Sequence, residues 1–298
     1  MGQAELKLPP RRSGRWIWWS LGGLFALIIV YKMGSSSQGI GRGGLGEKVG
    51  IIVVEGPIYT SEKTVKDLDK FQKRNDIKAI VLRINSPGGV VGPTQEIYEK
   101  VKVLRSIKPV VSSLGAVAAS GGYYIAIAGD SILANGGSIL GSIGVIMEYP
   151  IARDLFEKVG LQFETVKSGD LKDTGSMTRA ATARDRQYLQ AVVDDLYAQF
   201  VNAVAEERSL PRTEVEVLAD GRVFTGLQSL SLGLIDGIGT LEDAVALAAR
   251  LGEISGEPKT VRIPKKRPSF LDWFLGDKVG QKINTVFEKI PAYRWHME

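Results

Sequence analysis

A serine set among small residues, Ala118-Ala119-Ser120-Gly121-Gly122, lies where a buried strand would feed a helix. Such a serine becomes a nucleophile only if a neighbouring group takes its proton. Histidine is the common partner, but the chain contains a single histidine, His296, close to the C-terminus. A Ser-His-Asp arrangement is therefore a poor fit, and lysine is the base to look for. A lysine base has to be neutral near pH 7, which requires desolvation or nearby cations. The segment Lys167-Ser168-Gly169-Asp170-Leu171-Lys172-Asp173 offers two lysines. A lysine in a polar stretch is ordinarily a solvated surface charge, and the residues alone leave the choice between Lys167 and Lys172 open.

Three segments could complete such a site. Asn85-Ser86-Pro87-Gly88-Gly89 closes a buried run, and its two glycines permit close approach of backbone to a ligand. Its plain alternative is a strand-to-helix turn. The helix expected from Ser120 would offer unsatisfied N–H groups and a positive dipole end, both suited to a developing oxyanion. The plain alternative for Ser120 is a helix-capping serine. Gly141-Ser142-Ile143-Gly144-Val145, taken alone, is a glycine-rich turn. The absence of cysteine excludes disulfides, thiol catalysis and cysteine zinc sites. With one histidine, a histidine metal site is not expected, and no metal or cofactor is called for.

The elements that must position these residues follow from periodicity. Gly50–Val54, Ile77–Ile84 and Pro109–Leu114 are apolar, β-branched runs and are read as buried strands. Ser131–Ala134, Gly144–Met147 and Leu161–Val166 are read as shorter ones. Between them, residues 61–74 place Val65, Leu68 and Phe71 on one helical face, and Gln95–Arg105 does the same with Ile97, Val101 and Leu104. The longest helix is expected over Thr182–Arg208, with a stripe of Leu189, Val192, Val193, Leu196, Phe200 and Val204. Residues 220–239 are turn-rich. Thr240 and Asp243 form a capping box for a last helix ending at Leu251. Buried strands alternating with amphipathic helices predict an α/β fold with a parallel sheet and flanking helices.

The two ends differ from this middle. With 44% hydrophobic and 24% charged residues, the chain as a whole has an ordinary globular composition. Its net charge of +5 is concentrated in Lys7, Arg11, Arg12 and Arg15, then Lys265, Lys266 and Arg267. No basic stripe interleaved with aromatics runs through the middle, so nucleic-acid binding is not expected. Trp16–Tyr31 is uncharged and flanked by Arg15 and Lys32. It is slightly shorter than the about 20 residues that span a bilayer core, but interfacial tryptophans and snorkelling charges suit an anchor. The basic cluster before it predicts a cytoplasmic N-terminus. A cleaved signal peptide is the rival, although no clear small-x-small site follows. The domain reading is a basic N-terminus at 1–15, a transmembrane helix at 16–33, a glycine-rich linker at 34–48, a catalytic domain at 49–255 and a C-terminal extension at 256–298. The tail, with Phe270, Trp273, Phe274, Val279, Ile283, Val286 and Phe287, is amphipathic enough to dock on a partner subunit or a membrane surface.

The order NSPGG, AASGGYY, GSIGV, then KSGDLKD resembles the signal peptide peptidase A family in its short single-domain form. It is also similar to Clp-type serine proteases and the wider crotonase-like fold. The resemblance covers most of residues 49–251, with one departure: Val90-Val91-Gly92 replaces a third consecutive glycine. It implies a Ser-Lys endopeptidase anchored in the bacterial inner membrane, with its catalytic domain outside the cytoplasm. It implies signal peptides and other short apolar peptides as substrates, no cofactor, and a homo-oligomer. Carried onto this chain, it implies Ser120 as nucleophile, Lys172 as general base with Lys167 as rival, and Ser142 orienting the amine. Gly89 and Gly121 would supply the oxyanion-hole N–H groups. Against this stand a crotonase-like acyl-CoA enzyme, disfavoured by an outward-facing anchor, and a non-catalytic membrane scaffold, disfavoured by retention of Ser120 and Lys172.

Overall fold

Residues 49–54 and 77–84 carry apolar side chains at almost every position, so neither run can leave a face in water. In the computed structural model, which describes residues 46–264 and the backbone of residues 292–294, they become β1 (Lys48–Glu55) and β2 (Ile77–Ser86). The pair is parallel, in register from Val49↔Ala79 to Glu55↔Asn85. β3 (Gly88–Val90) follows β2 after a single residue. β4 (Val110–Ala119) lies parallel to β2 on its other side. The lower half of β4 pairs with β5 (Ser131–Ala134) and its upper half with β6 (Ile139–Gly141). β7 (Val223–Thr225) closes that edge antiparallel to β6, and β8 (Gly237–Ile238) pairs with β5. At the far edge β9 (Lys259–Arg262) runs parallel to β1.

Both faces of the sheet are covered, which explains the continuous apolar runs. On one face Ile52, Val54, Ile80, Leu82 and Ile84 pack with Leu68 and Phe71 of α1 (Glu62–Gln72). The same cluster holds Ile97, Val101 and Leu104 of α2 (Val91–Arg105), the short α3 (Gly121–Ala126), and Phe200 and Val204 of a later helix. On the other face Val49, Ile51, Ala79, Val81 and Val111 meet Ala244, Val245 and Ala248 of a C-terminal helix.

Two expected strands do not form. Residues 144–147 have no extended ladder; the strand is β6, a few residues earlier. The reason is that β4 runs past the expected end at Leu114, and its extension Val117–Ala119 takes Ile139–Gly141 as partner. Residues 161–166 are likewise no strand. Val166 is 95% exposed and Phe163 55% exposed, with no sheet edge beside them to receive the run. A surface helix not expected from the sequence, α4 (Arg153–Lys158), precedes this stretch.

α5 (Ala183–Arg208) starts after Thr182, whose side chain and that of Asp185 form a reciprocal capping box. Phe200, Val201 and Val204 in its second half are fully buried, while Leu189, Val192 and Val193 in its first half are half-buried. α6 (Arg212–Leu218) and α7 (Gly226–Ser231) follow. α8 (Leu241–Leu251) has the Thr240–Asp243 box and the end expected from the sequence. The expected anchor at residues 16–33 lies outside the described residues. Among the described residues no helix is long and apolar enough to cross a membrane. A last strand, β10 (Ala292–Arg294), pairs antiparallel with β3.

Candidate active site

The carboxyl ends of β2 and β4 lie side by side, with Ser86 opposite Ala118. Asn85 fastens them: its Oδ1 accepts the Val117 N–H at 3.1 Å. On the other side of β4, Ala119 sits opposite Gly141, and the Ser120 N–H donates to the Gly141 carbonyl at 2.7 Å. Ser120 then turns the chain into α3 with φ 53° and ψ −118°. That region is unfavourable for an L side chain and costs on the order of 1–3 kcal/mol. Ser120 is fully buried, its side chain makes no capping bond, and its Oγ has no hydrogen-bond partner. A helix-capping role is therefore not what this serine performs. The strained turn and the bare hydroxyl instead present it as a nucleophile would be presented on a strand-to-helix elbow.

Gly89 and Gly121 meet beside it. Ile58 grips β3 through two bonds, its N–H donating to the Gly88 carbonyl and its carbonyl accepting the Val90 N–H, each at 2.8 Å. Alternation along a strand then turns the N–H of Gly89 to the opposite edge. A Cβ on Gly89 would sit 2.1 Å from the Ile58 carbonyl oxygen. A Cβ on Gly121 would lie 3.2 Å from the Gly89 nitrogen and 2.9 Å from Thr94 Oγ1. The two backbones thus approach closely, with too little room at Gly121 for a Cβ unless its neighbours shift. Gly121 opens α3, where first-turn N–H groups have no carbonyl one turn back. Two donors of this kind next to a serine hydroxyl can stabilise a tetrahedral oxyanion.

Ser142 follows Gly141 and is buried with φ 49°, its N–H donating to the Arg222 carbonyl at 2.8 Å. β6 therefore brings the third motif next to the first. The lysine motif is placed differently. Lys172 lies exposed in a turn over residues 170–175, where its N–H donates to the Gly169 carbonyl at 3.1 Å. Its amine makes no hydrogen bond to Ser120 within the chain. Lys167, the rival, is already engaged: its Nζ donates to Asp173 Oδ1 at 2.8 Å and to the Asp170 carbonyl at 3.0 Å. The structure thus gathers Ser120, Ser142, Gly89 and Gly121, while Lys172 lies exposed on a turn and makes no hydrogen bond to Ser120.

The turn carrying Lys172 is held by charges that sequence reasoning missed. Arg179 forks onto Asp173, with Nε and Nη2 each 2.8 Å from a carboxylate oxygen. It also donates to Asp185 at 2.5 and 3.1 Å. Asp185 accepts further bonds from Thr174 Oγ1 and from the N–H and hydroxyl of Thr182. The Arg179 guanidinium, helped by Lys167, holds the Asp173 carboxyl well below the usual carboxylate range. Arg179, then Thr182 and Thr174, do the same to Asp185. In the chain before this turn, Ile151, Leu155, Val159, Leu161, Phe163 and Val166 are all exposed, interspersed with exposed charged residues. A cavity of about 310 Å³ opens beneath the turn between Leu171, Tyr149 and Tyr188. Among the described residues no group of three or more His, Cys, Asp or Glu side chains is placed to hold a metal ion.

Comparison with known proteins bears on this geometry. The model of peptidase family S49 matches residues 102–255, which include Ser120, Ser142 and Lys172, and the Clp protease model matches residues 47–133. A protein of Synechocystis sp., named as an inferred protease, is 44% identical over 223 residues, covering 74% of this chain and 80% of its own. A protein of Enterococcus faecium, named as an inferred signal peptide peptidase SppA, is 31% identical over 243 residues, covering 78% of this chain and 70% of its own. Protease 4 of Haemophilus influenzae is 34% identical over 243 residues, and the match covers 78% of this chain but 38% of that longer protein.

Proposed function

Since the chain belongs to peptidase family S49, we propose that it is a membrane-anchored serine endopeptidase working through Ser120 and Lys172. The observation that carries this reading is the buried, unpartnered Ser120 hydroxyl on a strained turn, flanked by the closely approaching backbones of Gly89 and Gly121. In the proposed reaction the neutral Lys172 amine takes the hydroxyl proton as Oγ attacks the scissile carbonyl carbon. The N–H groups of Gly89 and Gly121 donate to the resulting oxyanion. Its collapse breaks the C–N bond, and Lys172 returns the proton to the leaving amine, giving an acyl-serine and a free amine product. Water then attacks the ester with Lys172 again as base, releasing a carboxylate and restoring Ser120. Ser142 accepts a hydrogen bond from the lysine amine and aims its lone pair.

The substrate is an extended peptide laid along β3. The pairing of Ala292–Arg294 with Gly88–Val90 supports this, since that edge takes an antiparallel strand, and a peptide substrate would replace β10 there. The name of the Enterococcus faecium relative suggests signal peptides, and the uncharged segment Trp16–Tyr31 would hold the domain at the membrane where such peptides are released. With the basic residues before that segment in the cytoplasm, the catalytic domain faces the outside of the bacterial inner membrane.

Within one chain no hydrogen bond joins Lys172 to Ser120, and the segment that precedes Lys172 exposes large apolar side chains. The functional form is accordingly a closed homo-oligomer in which the turn carrying Lys172 reaches the Ser120 of a neighbouring copy. A fluorophosphonate probe tests the catalytic reading. The full-length protein in detergent should label at Ser120, and Ser120→Ala should neither label nor cleave peptides. Absence of labelling, as for an acyl-CoA enzyme or a scaffold, would refute it.

A further inference from the structure

We infer that Arg179 is a positioning residue for Lys172, acting through Asp173 and Asp185. The inference rests on the reading of Lys172 as the base and adds what sets that base in place. Lys172 sits in a turn that is preceded by nine exposed residues, 161–169, in neither helix nor strand. That stretch and the start of the turn are tied by surface bonds, Lys167 donating to Asp173 at 2.8 Å and the exposed Arg184 to the exposed Asp170 at 2.6 Å. The more buried bonding lies on the C-terminal side of the turn. Asp173, the residue after Lys172, receives both arms of the Arg179 fork. Thr174, the next residue, donates to Asp185 at 2.8 Å. Asp185 in turn is buried at the start of α5 and caps it with Thr182. The far half of α5 is fully packed in the core through Phe200, Val201 and Val204. A continuous bonded path therefore runs from the core helix to the residue adjoining Lys172.

Arg179 is the member that joins the two carboxylates. Without it Asp173 and Asp185 would be two like charges with no shared cation, and the turn would keep only the Thr174–Asp185 bond and the exposed Asp170–Arg184 pair as links to the helix. Lys167 cannot replace it, because Lys167 reaches Asp173 and the Asp170 carbonyl and has no bond to Asp185. Lysine in place of Arg179 would keep the charge and lose the planar fork, so it should hold the turn in part.

The test is a double-mutant cycle on the full-length protein, read as peptide kcat and KM and as the rate of fluorophosphonate labelling at Ser120. Arg179→Ala should lower kcat about 10–100-fold with KM within about twofold, the pattern of a lost transition-state contribution. Arg179→Lys should fall between it and the parent. In a Lys172→Ala background, Arg179→Ala should leave the residual labelling rate unchanged, since there is no base left to misplace. An equal slowing in both backgrounds would mean that Arg179 supports the fold generally, and would overturn the inference. So would a kcat at parent level in Arg179→Ala. If Arg179→Ala does not fold, Arg179→Lys takes its place in the cycle with the same two outcomes. Failure of the catalytic reading is visible separately, as a parent protein that does not label at Ser120 or a Lys172→Ala protein that labels at the parent rate.

Discussion

The surroundings of Ser120 and of Lys172 are built on opposite principles. Ser120 stands at the end of a central strand, fully buried, and its surroundings are fixed mainly by backbone, through the Gly141 carbonyl and the close approach of Gly89 and Gly121, with Asn85 Oδ1 as a side-chain tie. Lys172 stands on an exposed turn, and what holds it is a set of charged side chains closed by Arg179. The first region needs no solvent and no partner to keep its shape. The second presents apolar side chains to water, from Ile151 to Val166, at a density that a free surface does not usually tolerate. On the proposed mechanism the nucleophile has the fixed setting that a sheet gives, and a base that reached another copy would need an arm stiffened by local bonds.

That contrast is broken or sharpened most directly by mixing chains. Ser120→Ala and Lys172→Ala proteins should each lose at least about 10²-fold in peptidase rate, as expected for loss of a nucleophile or general base. Dissociated and reassembled together, they should recover up to about a quarter of parent activity, because random pairing in a closed ring places an intact serine beside an intact lysine at that frequency. No recovery in an assembled mixture would place both groups of each site in one chain. Lys167→Ala is the control, and it should keep substantial activity, since its amine is already given to Asp173.

A smaller effect is expected with pH. A lysine base gives a kcat/KM that rises about tenfold per unit toward alkaline pH until the amine is neutral. The clamp should not contribute to that limb. Asp173 and Asp185 are held well below the ordinary carboxylate range by Arg179, so their contribution is complete at and above that range and is lost only as pH falls through the lowered values. A rate profile measured from about pH 5 upward therefore reports the base alone. An acidic limb near about 6.5 that persists in His296→Ala would contradict a lysine base.

Legibility in the sequence followed the same division. β1, β2, β5 and α8 could be read because burial on two faces or an amphipathic stripe leaves a local pattern, and Thr240 with Asp243 marks a helix start. The motifs holding Ser120, Gly89, Gly121 and Ser142 were visible as glycine-rich strand ends. Their meeting was not, because it depends on β4 extending to Ala119 and on which strands pair there. The arm was misread. Leu161–Val166 has a strand's composition but no edge to join, and a pattern of residue types cannot reveal the absence of a neighbour. The Asp173–Arg179–Asp185 clamp has no helical or strand spacing, so it left no periodic trace. The Thr182–Asp185 box was the one local signal available there, of the same kind as that at Thr240.

The turn at Ser120 has a consequence for the free energy of the whole protein. Both its backbone conformation and its unbonded hydroxyl disfavour the folded chain. Glycine would relieve both, at a cost of about 0.5–1 kcal/mol in added freedom of the unfolded chain. Ser120→Gly should therefore be inactive yet raise the melting temperature, whereas a lowered one would mean that the turn is not strained. Stability and activity are opposed at this residue, and the opposition is greatest in a chain that has not assembled. A neighbour's amine arriving at Oγ would supply the missing hydrogen bond, so docking would return part of what folding gave up. Under the proposed mechanism the Ser120 hydroxyl would thus also contribute to cohesion between copies, and its energetic debt would favour the assembled state over the lone subunit.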